Sequence, residues 1–212
     1  MTEKEKMLNG EYYKPLEDEQ LCKDRENAKN LCFKYNQTPP YAEEERDETI
    51  KELFGKTGEK IWVEPNFFCD YGYNIEVGEN FYSNHNLVIL DCAKVTFGDN
   101  VLIGPNCAFY TPIHPMDAKT RNTFIEKAKP IKVGNNVWFG GNVVVLPGVT
   151  IGDNAVIGAG SVVVKDIPDW CLAAGYPCKV IRFLPEQGYY YNKTTKQNEP
   201  IFNENEKTDC KC

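Results

Sequence analysis

Residues 133–163 read VGNNVWFGGNVVVLPGVTIGDNAVIGAGSVV and hold the pattern that decides the fold. A bulky apolar residue recurs at every sixth position, and glycine follows four of the first five: Val133, Phe139, Val145, Ile151, Ile157 and Val163. A helix has a period of 3.6 residues and a half-buried strand a period of 2, so neither gives this spacing. A period of six is typical of a β-helix built from hexapeptide repeats, in which three hexads close one triangular coil.

The same frame extends backwards along the chain, which lengthens the predicted β-helix. Phe97 and Ile103 keep the register, and Val77 and Ile89 repeat it with a shift of two residues. An antiparallel sandwich is the alternative, because the Gly-Asp-Asn segments at 98–100 and 152–154 resemble hairpin turns. A sandwich would not hold a six-residue register over residues 133–163. We therefore predict a mainly β fold, a parallel β-helix over residues 58–185.

Two segments flank this zone and one interrupts it. Residues 1–57 are rich in charge and have apolar residues at helical spacing, which predicts short helices over about 3–8, 17–36 and 42–54. Residues 110–130 lose the hexad glycines and contain prolines, which indicates a loop excluded from the coils. Residues 186–212 are polar and are expected to form a loosely held tail.

The composition excludes several classes of function. The 212 residues carry 24 Lys and Arg against 31 Asp and Glu, a net charge of -7, so general affinity for nucleic acid or anionic membrane is disfavoured. The charged start lacks a signal peptide and no stretch predicts a membrane span, which together predict a cytoplasmic protein. Nine cysteines at scattered spacings fit neither a disulfide framework nor a zinc site.

The chain has two histidines, and they differ in their setting. His85 lies inside the repeat zone, where a structural role is the more common one. His114 lies between Ile113 and Pro115 at the root of the excluded loop, and imidazole is the side chain suited to acid–base chemistry near neutral pH. Two histidines are too few for the three-imidazole metal site of some β-helix enzymes, so no metal is expected. His114 is therefore the histidine predicted to be functional.

Several motifs together resemble the maltose and galactoside O-acetyltransferases, a family of hexapeptide-repeat acetyltransferases. The resemblance covers about residues 3–184 and is nearer to the maltose enzymes than to the galactoside enzymes. It is carried by CDYGYN at 69–74, NFYSN at 80–84, YTPIHP at 110–115, GNNVW at 134–138 and AGYPC at 174–178. It implies a left-handed β-helix that assembles as a homotrimer, with acetyl-CoA and a sugar acceptor meeting between subunits.

The resemblance also implies roles for individual residues. His114 corresponds to the general base, and Asn84 to a residue that contacts the reacting centre and the acceptor. The other acceptor positions are Asp18, Arg25, Asp70, Tyr82 and Asp91, with residues 1–57 as an acceptor cap. The donor positions are Trp138, Gly141, Ala159, Val164, Lys165, Lys179 and Arg182, where Gly141 contributes a backbone N–H and the last two contact phosphates.

The motifs leave open which acceptor is used and whether the protein is catalytically active. Cys92 replaces an aspartate of the galactoside enzyme, which favours a maltose or glucose acceptor. An acetyltransferase of the same scaffold that acts on serine or on an amino sugar of a glycan or antibiotic is one alternative. A β-helix that kept the fold but lost catalysis is the other.

Overall fold

The structure, a computed structural model, describes residues 1–185 and the backbone of two further strands, β19 (Tyr189–Asn192) and β20 (Gln197–Pro200), which pair antiparallel. The expectation of a loosely held tail otherwise lies outside the described residues. Residues 61–174 wind into stacked parallel coils with three flat faces, so the predicted β-helix is confirmed.

The chain visits the three faces in a repeating order. The first face consists of β1 (Ile61–Val63), β4 (Phe81–Ser83), β7 (Leu102–Ile103), β12 (Trp138–Phe139), β15 (Val156–Ile157) and β17 (Cys171–Ala174), with β18 (Lys179–Phe183) added antiparallel. The second face consists of β2 (Phe67–Cys69), β5 (Leu87–Leu90), β8 (Ala108–Tyr110), β13 (Val144–Val145) and β16 (Val162–Val163). The third consists of β3 (Ile75–Val77), β6 (Val95–Phe97), β11 (Ile131–Val133) and β14 (Thr150–Ile151).

Strand register explains why the early frame is shifted by two residues. Val77 pairs with Phe97, so the early coils hold 20 residues rather than the 18 of three hexads. Phe97 then pairs with Val133, and Val133 with Ile151 in an 18-residue coil. The coil between Phe97 and Val133 contains the excluded loop, with β9 (Pro112–Ile113), α4 (Ala118–Arg121) and β10 (Lys127–Ala128).

Asparagines stack at one corner of the coils and stabilise the turns. Asn80, Asn100, Asn136 and Asn154 have φ between 54° and 59°, a left-handed conformation that Asn tolerates better than most side chains. Each amide nitrogen donates to the amide oxygen on the next coil, at 2.9 Å, 3.0 Å and 2.9 Å in order. This ladder joins the polar side chains of the turns by hydrogen bonds from coil to coil, just as the strands join the backbone groups.

The core fills the narrow interior with the residues of the hexad frame. Phe81, Phe97, Phe109 and Phe139 form a continuous stack with ring centroids 5.0–5.3 Å apart, mostly in edge or tilted contacts. Because the stack crosses neighbouring coils, those coils stabilise one another.

Side chains that point outward differ sharply between the faces. The first and second faces are apolar outside, with Trp62, Tyr82, Leu102, Trp138, Val156 and Leu172 on the first and Phe68, Val88, Ala108, Val144 and Val162 on the second. The third face is polar, with Glu76, Thr96, Lys132 and Thr150. Trp138 is 54% exposed and Phe68 51% exposed in a single chain. Two apolar faces of this kind indicate surfaces that contact partners or ligands.

Three helices precede the coils, as the sequence predicts. They are α1 (Glu3–Leu8), α2 (Glu19–Gln37) and α3 (Glu43–Leu53). Helix α2 begins two residues later than expected because the carboxylate of Asp18 accepts from Leu21 N and forms the N-cap. Its buried residues pack into the core of the first coils: Ala28, Cys32 and Tyr35. Among the described residues, no helix is both long and apolar enough to cross a bilayer.

Candidate functional site

The structure divides the predicted site residues between two regions of one chain. Tyr82 and Trp138 point outward from the first face, and Asn84, Gly141 and Ala159 lie at the corner between the first and second faces. Asp70, Asp91, Val164 and Lys165 follow strands of the second face and lie toward the third, and His114 follows β9 in the excluded loop. Asp18 caps helix α2, and Arg25 lies within it. Lys179 and Arg182 lie on β18, both exposed.

His114 lies beside a buried carboxylate that the sequence did not reveal. Its Nε2 atom is 3.6 Å from Oε2 of Glu126, and the imidazole is half exposed while Glu126 is buried. The hydroxyl of Tyr13 donates a hydrogen bond to Oε1 of Glu126, and the backbones of Tyr13 and Glu126 form an antiparallel bridge at 2.8 Å and 3.0 Å. Burial raises the pKa of Tyr13, so this hydroxyl remains a donor. The arrangement holds Glu126 in place next to His114.

A second carboxylate lies close to Glu126, with a thiol between the two. Cys92 Sγ lies 3.4 Å from Oδ2 of Asp70 and 3.9 Å from Oε1 of Glu126, at distances where the thiol donates weakly to both. Burial raises the pKa of Asp70 and also that of Cys92, so the thiol stays protonated. Asp70 and Glu126 thus form a polar wall on which hydroxyl groups can be bound.

Asp91 has a structural place behind this wall. Its side chain is fully buried and accepts from the backbone N–H groups of Asp70 at 3.0 Å and Tyr71 at 2.8 Å. Burial raises its pKa to about 7 despite these hydrogen bonds. Asp91 therefore orients the Asp70–Tyr71 turn, and in this chain it has no open side toward a ligand.

The residues beside α2 have different partners from those expected. Arg25 donates to the carbonyl of Pro15 at 2.9 Å, and its guanidinium lies 5.7 Å from the ring of Tyr71. Asp18 is occupied by the backbone of Leu21 and Lys4, so the acidic neighbour of Arg25 is not Asp18 among the described contacts. The hydroxyl of Tyr71 is buried and has no hydrogen-bond partner in the described part of the chain. This unpartnered hydroxyl lies beside Arg25 and Asp70, where a polar ligand could reach it only if the surrounding side chains moved.

The first-face region offers hydrogen-bond donors at the corner. The N–H groups of Gly141 and Ala159, one coil apart, donate no hydrogen bond among the described residues. Asn84 accepts from the N–H of His85 at 2.7 Å, which leaves its amide NH₂ directed away from that turn. A free backbone N–H at this corner can stabilise an oxyanion, and the Asn84 amide, two coils away by register, can bind a hydroxyl of an acceptor.

Asn84 and His114 do not meet within one chain. Asn84 follows β4 of the first face, whereas His114 follows β9 in the loop that leaves the coil after β8 of the second face. No hydrogen bond or ion pair joins the two regions among the described contacts. The region of Asn84 and the region of His114 are called the two half-sites of the chain.

Glu126, Tyr13 and Tyr71 are functional candidates that the sequence reasoning missed. Glu126 lies in the irregular loop, where no repeat marks its position, and only the β9–β10 pairing brings it beside His114. Tyr71 belongs to the CDYGYN motif, so its position but not its contacts was available, and Tyr13 lies in the predicted cap segment, where nothing marked it.

Comparison with known proteins assigns this arrangement to a family. Residues 6–58 match the maltose acetyltransferase hexapeptide capping motif, and residues 130–165 match the six-repeat bacterial transferase hexapeptide. The galactoside O-acetyltransferase of Escherichia coli (strain K12) is 48% identical over 184 residues, covering 86% of this chain and 91% of that protein. The chain belongs to the maltose and galactoside O-acetyltransferase family. It is accordingly an acetyltransferase of the hexapeptide-repeat type.

Solved structures of the family agree in fold. A maltose O-acetyltransferase from Clostridium difficile 630 has a TM-score of 0.86 and 52% sequence identity, covering 88% of this chain and 99% of that one. A hexapeptide-repeat acetyltransferase of Vibrio cholerae O1 biovar eltor, solved with acetyl coenzyme A, has a TM-score of 0.81 and 41% identity, covering 88% and 100%. The resemblance drawn from the motifs is therefore confirmed.

Proposed function

We propose that this enzyme transfers an acetyl group from acetyl-CoA to a hydroxyl of a glucose- or maltose-type sugar. The observation that carries the proposal is that His114 lies beside the polar wall formed by Glu126 and Asp70. The chain also belongs to a family of O-acetyltransferases. Cys92 between the carboxylates supports the maltose and glucose type over galactosides. Serine and amino-sugar acceptors are the alternative within the same scaffold.

The chemistry follows from the groups at the two half-sites. The imidazole of His114 takes the proton of the sugar hydroxyl as its oxygen attacks the thioester carbonyl, which forms a tetrahedral oxyanion. The Gly141 N–H donates to that oxyanion, and the Asn84 amide, two coils away by strand register, binds the acceptor hydroxyl. The C–S bond then breaks, the acetyl group stays on the sugar oxygen, and the imidazolium returns the proton to the leaving thiolate of CoA. Glu126, 3.6 Å from Nε2, positions the imidazole for both proton transfers.

The donor arm fits the later coils. Trp138 and the corner residues Gly141 and Ala159 offer an apolar surface and free N–H groups for the pantetheine amides, and Val164 with Lys165 lines the coil after them. Lys179 and Arg182 are exposed on β18 without an ion pair among the described residues, and cations of this kind bind phosphates.

In this proposal residues 1–57 form the cap over the acceptor. Three chains together complete the active sites. Tyr13 and Arg25 bring the cap to the wall beside His114. Because the half-sites lie at different corners, the second region must come from a neighbour, and a closed homotrimer supplies one for every His114. The apolar second face, where Phe68 is 51% exposed, supports such an assembly.

The test is thiol release from acetyl-CoA with separate acceptors. Glucose, maltose, a galactoside, serine and an aminoglycoside are compared for the wild type and His114→Ala. Release that requires glucose or maltose and falls by about 10²–10⁴ in the variant is the expected result. Release with serine or the aminoglycoside alone would contradict the sugar acceptor. Binding of acetyl-CoA without release to any acceptor would favour a scaffold that has lost catalysis.

A further inference from the structure

A cleft that shares only Tyr82 with the half-sites opens between helix α3 and the first two coils. It has a volume of about 560 Å³, within the range of small-ligand pockets. The aromatic side chains of Trp62 and Tyr82 form one wall, and Glu44 and Asp47 of α3 line the opposite side together with Lys60. Only Tyr82 also belongs to the acceptor positions implied by the family.

The indole of Trp62 is fixed in position before any ligand binds. Its Nε1 donates to Glu64 at 2.9 Å, and the guanidinium of Arg46 lies 5.6 Å from the ring. Arg46 is itself 6% exposed and donates to the carbonyl of Val63 at 2.9 Å. Yet the indole is 40% exposed toward the cleft. A rigid, open aromatic face loses little entropy on binding.

The chemistry of the lining fits a neutral polyol better than an ion. The carboxylates of Glu43, Glu44, Asp47 and Glu59 line the cleft together with the cations of Arg46 and Lys60, and Asp47 is also paired with Lys51 at 2.6 Å, so an anionic ligand is disfavoured. What remains is a mixture of acceptors and donors around an aromatic face. A pyranose ring presents an apolar C–H face together with a rim of hydroxyls, which matches such a lining.

Strand register connects the cleft to the acceptor site. Trp62, Tyr82 and Leu102 pair along the first face, so they are one coil apart at about 4.8 Å each. Trp138 pairs with Leu102 on the next coil toward the donor end. The order from donor to cleft is therefore Trp138, Leu102, Tyr82 and Trp62, and a step of one coil is about the width of a sugar ring.

We propose that the cleft binds the additional sugar ring of an oligosaccharide acceptor, stacked on Trp62, while the first ring is acetylated beyond Tyr82. This inference rests on the proposed sugar acceptor and adds a preference for chain length. Lengthening the acceptor from glucose to maltotriose should strengthen binding by about fivefold to tenfold, since an aromatic contact of this size contributes that much.

Binding is measured first, because it does not depend on turnover. Maltotriose and glucose are titrated into the CoA-saturated protein by ligand-detected NMR, for the wild type, Trp62→Ala, Trp62→Phe and Phe33→Ala. Phe33 is an exposed aromatic of α2 that does not line the cleft, so its variant is the matched control. The wild type and Phe33→Ala should prefer maltotriose, Trp62→Ala should bind both sugars equally, and Trp62→Phe should keep part of the preference.

The proposal is overturned if the wild type shows no preference for maltotriose, or if Trp62→Ala keeps the whole preference. Light scattering and the melting temperature establish that each variant is folded and assembled as the wild type. Thiol release with glucose separates a failure of the proposed subsite from a failure of the proposed function. Wild-type turnover of glucose without a chain-length preference rejects the subsite but retains the sugar acetyltransferase, whereas failure to acetylate any sugar rejects the proposed function.

Discussion

The imidazole of His114 lies 3.6 Å from the carboxylate of Glu126, and that carboxylate is held by the hydroxyl of Tyr13 from the N-terminal segment. The base, its charged neighbour and the cap are thus linked through one buried side chain. Because Glu126 is buried and held by Tyr13, it fixes the orientation of the imidazole beside it. Glu126 therefore acts as a positioning residue for the proposed general base.

Glu126→Gln should lower kcat by about tenfold, since one kcal/mol or slightly more of charge stabilisation is removed while the hydrogen bond with Tyr13 can persist. Steady-state thiol release with glucose measures the effect. The control is the double variant with His114→Ala, in which Glu126→Gln should have no further effect because the two residues act as one unit. Equal losses in both backgrounds would show that Glu126 acts independently of His114.

Mixed trimers should regain activity from two inactive chains. His114→Ala and Asn84→Ala chains each lack one half-site, so a site with an intact His114 from one chain and an intact Asn84 from the other is complete. Random assembly of equal amounts should restore about one quarter of the wild-type sites. The measurement is thiol release after co-refolding of differently tagged chains, with the separately refolded variants as controls. Activity no higher than that of the separate variants would contradict shared sites.

The repeat in the sequence was sufficient to predict the solenoid but not the site. Six-residue spacing determines which side chains face the core, and Phe109 and Phe139 lie in the stack as the frame requires. The contact of Glu126 with His114 depends on how β9 and β10 pair within an irregular loop, which no periodicity encodes. Asp18 illustrates the same limit, because helix capping and ligand binding favour the same residue type, and the structure assigns the cap.

The asparagine ladder should contribute measurably to stability. Asn100 has a φ of 57°, receives the amide hydrogen bond of Asn80 and donates to Asn136. Asn100→Gly keeps the left-handed conformation but loses both hydrogen bonds, at a cost of about 1–2 kcal/mol. Asn100→Ala should cost about 1 kcal/mol more, because its Cβ disfavours positive φ. Urea unfolding measures both, and equal stability of the two variants would show that backbone conformation contributes nothing at this turn.

Asp91 should make the stability depend on pH in a definite direction. Its pKa is raised to about 7 in the folded chain by burial, whereas an unfolded aspartate has its usual value near 3.9. The folded state therefore holds a proton that the unfolded state releases, so this contribution to stability is complete below about pH 4 and is lost as pH rises toward about 7. Asp91→Asn removes the titration while the amide oxygen can still accept from Tyr71 N.

The comparison is the free energy of unfolding of the wild type and Asp91→Asn in urea at pH 4.5 and 7.5. The wild type should lose a few kcal/mol more than the variant between these values, since each unit of pKa shift corresponds to about 1.4 kcal/mol. Subtracting the variant cancels the other titrating groups, which the two proteins share. A wild type that gains stability relative to the variant as pH rises would mean that the backbone N–H groups of Asp70 and Tyr71 hold Asp91 as a carboxylate, and that hydrogen bonding rather than burial controls its charge.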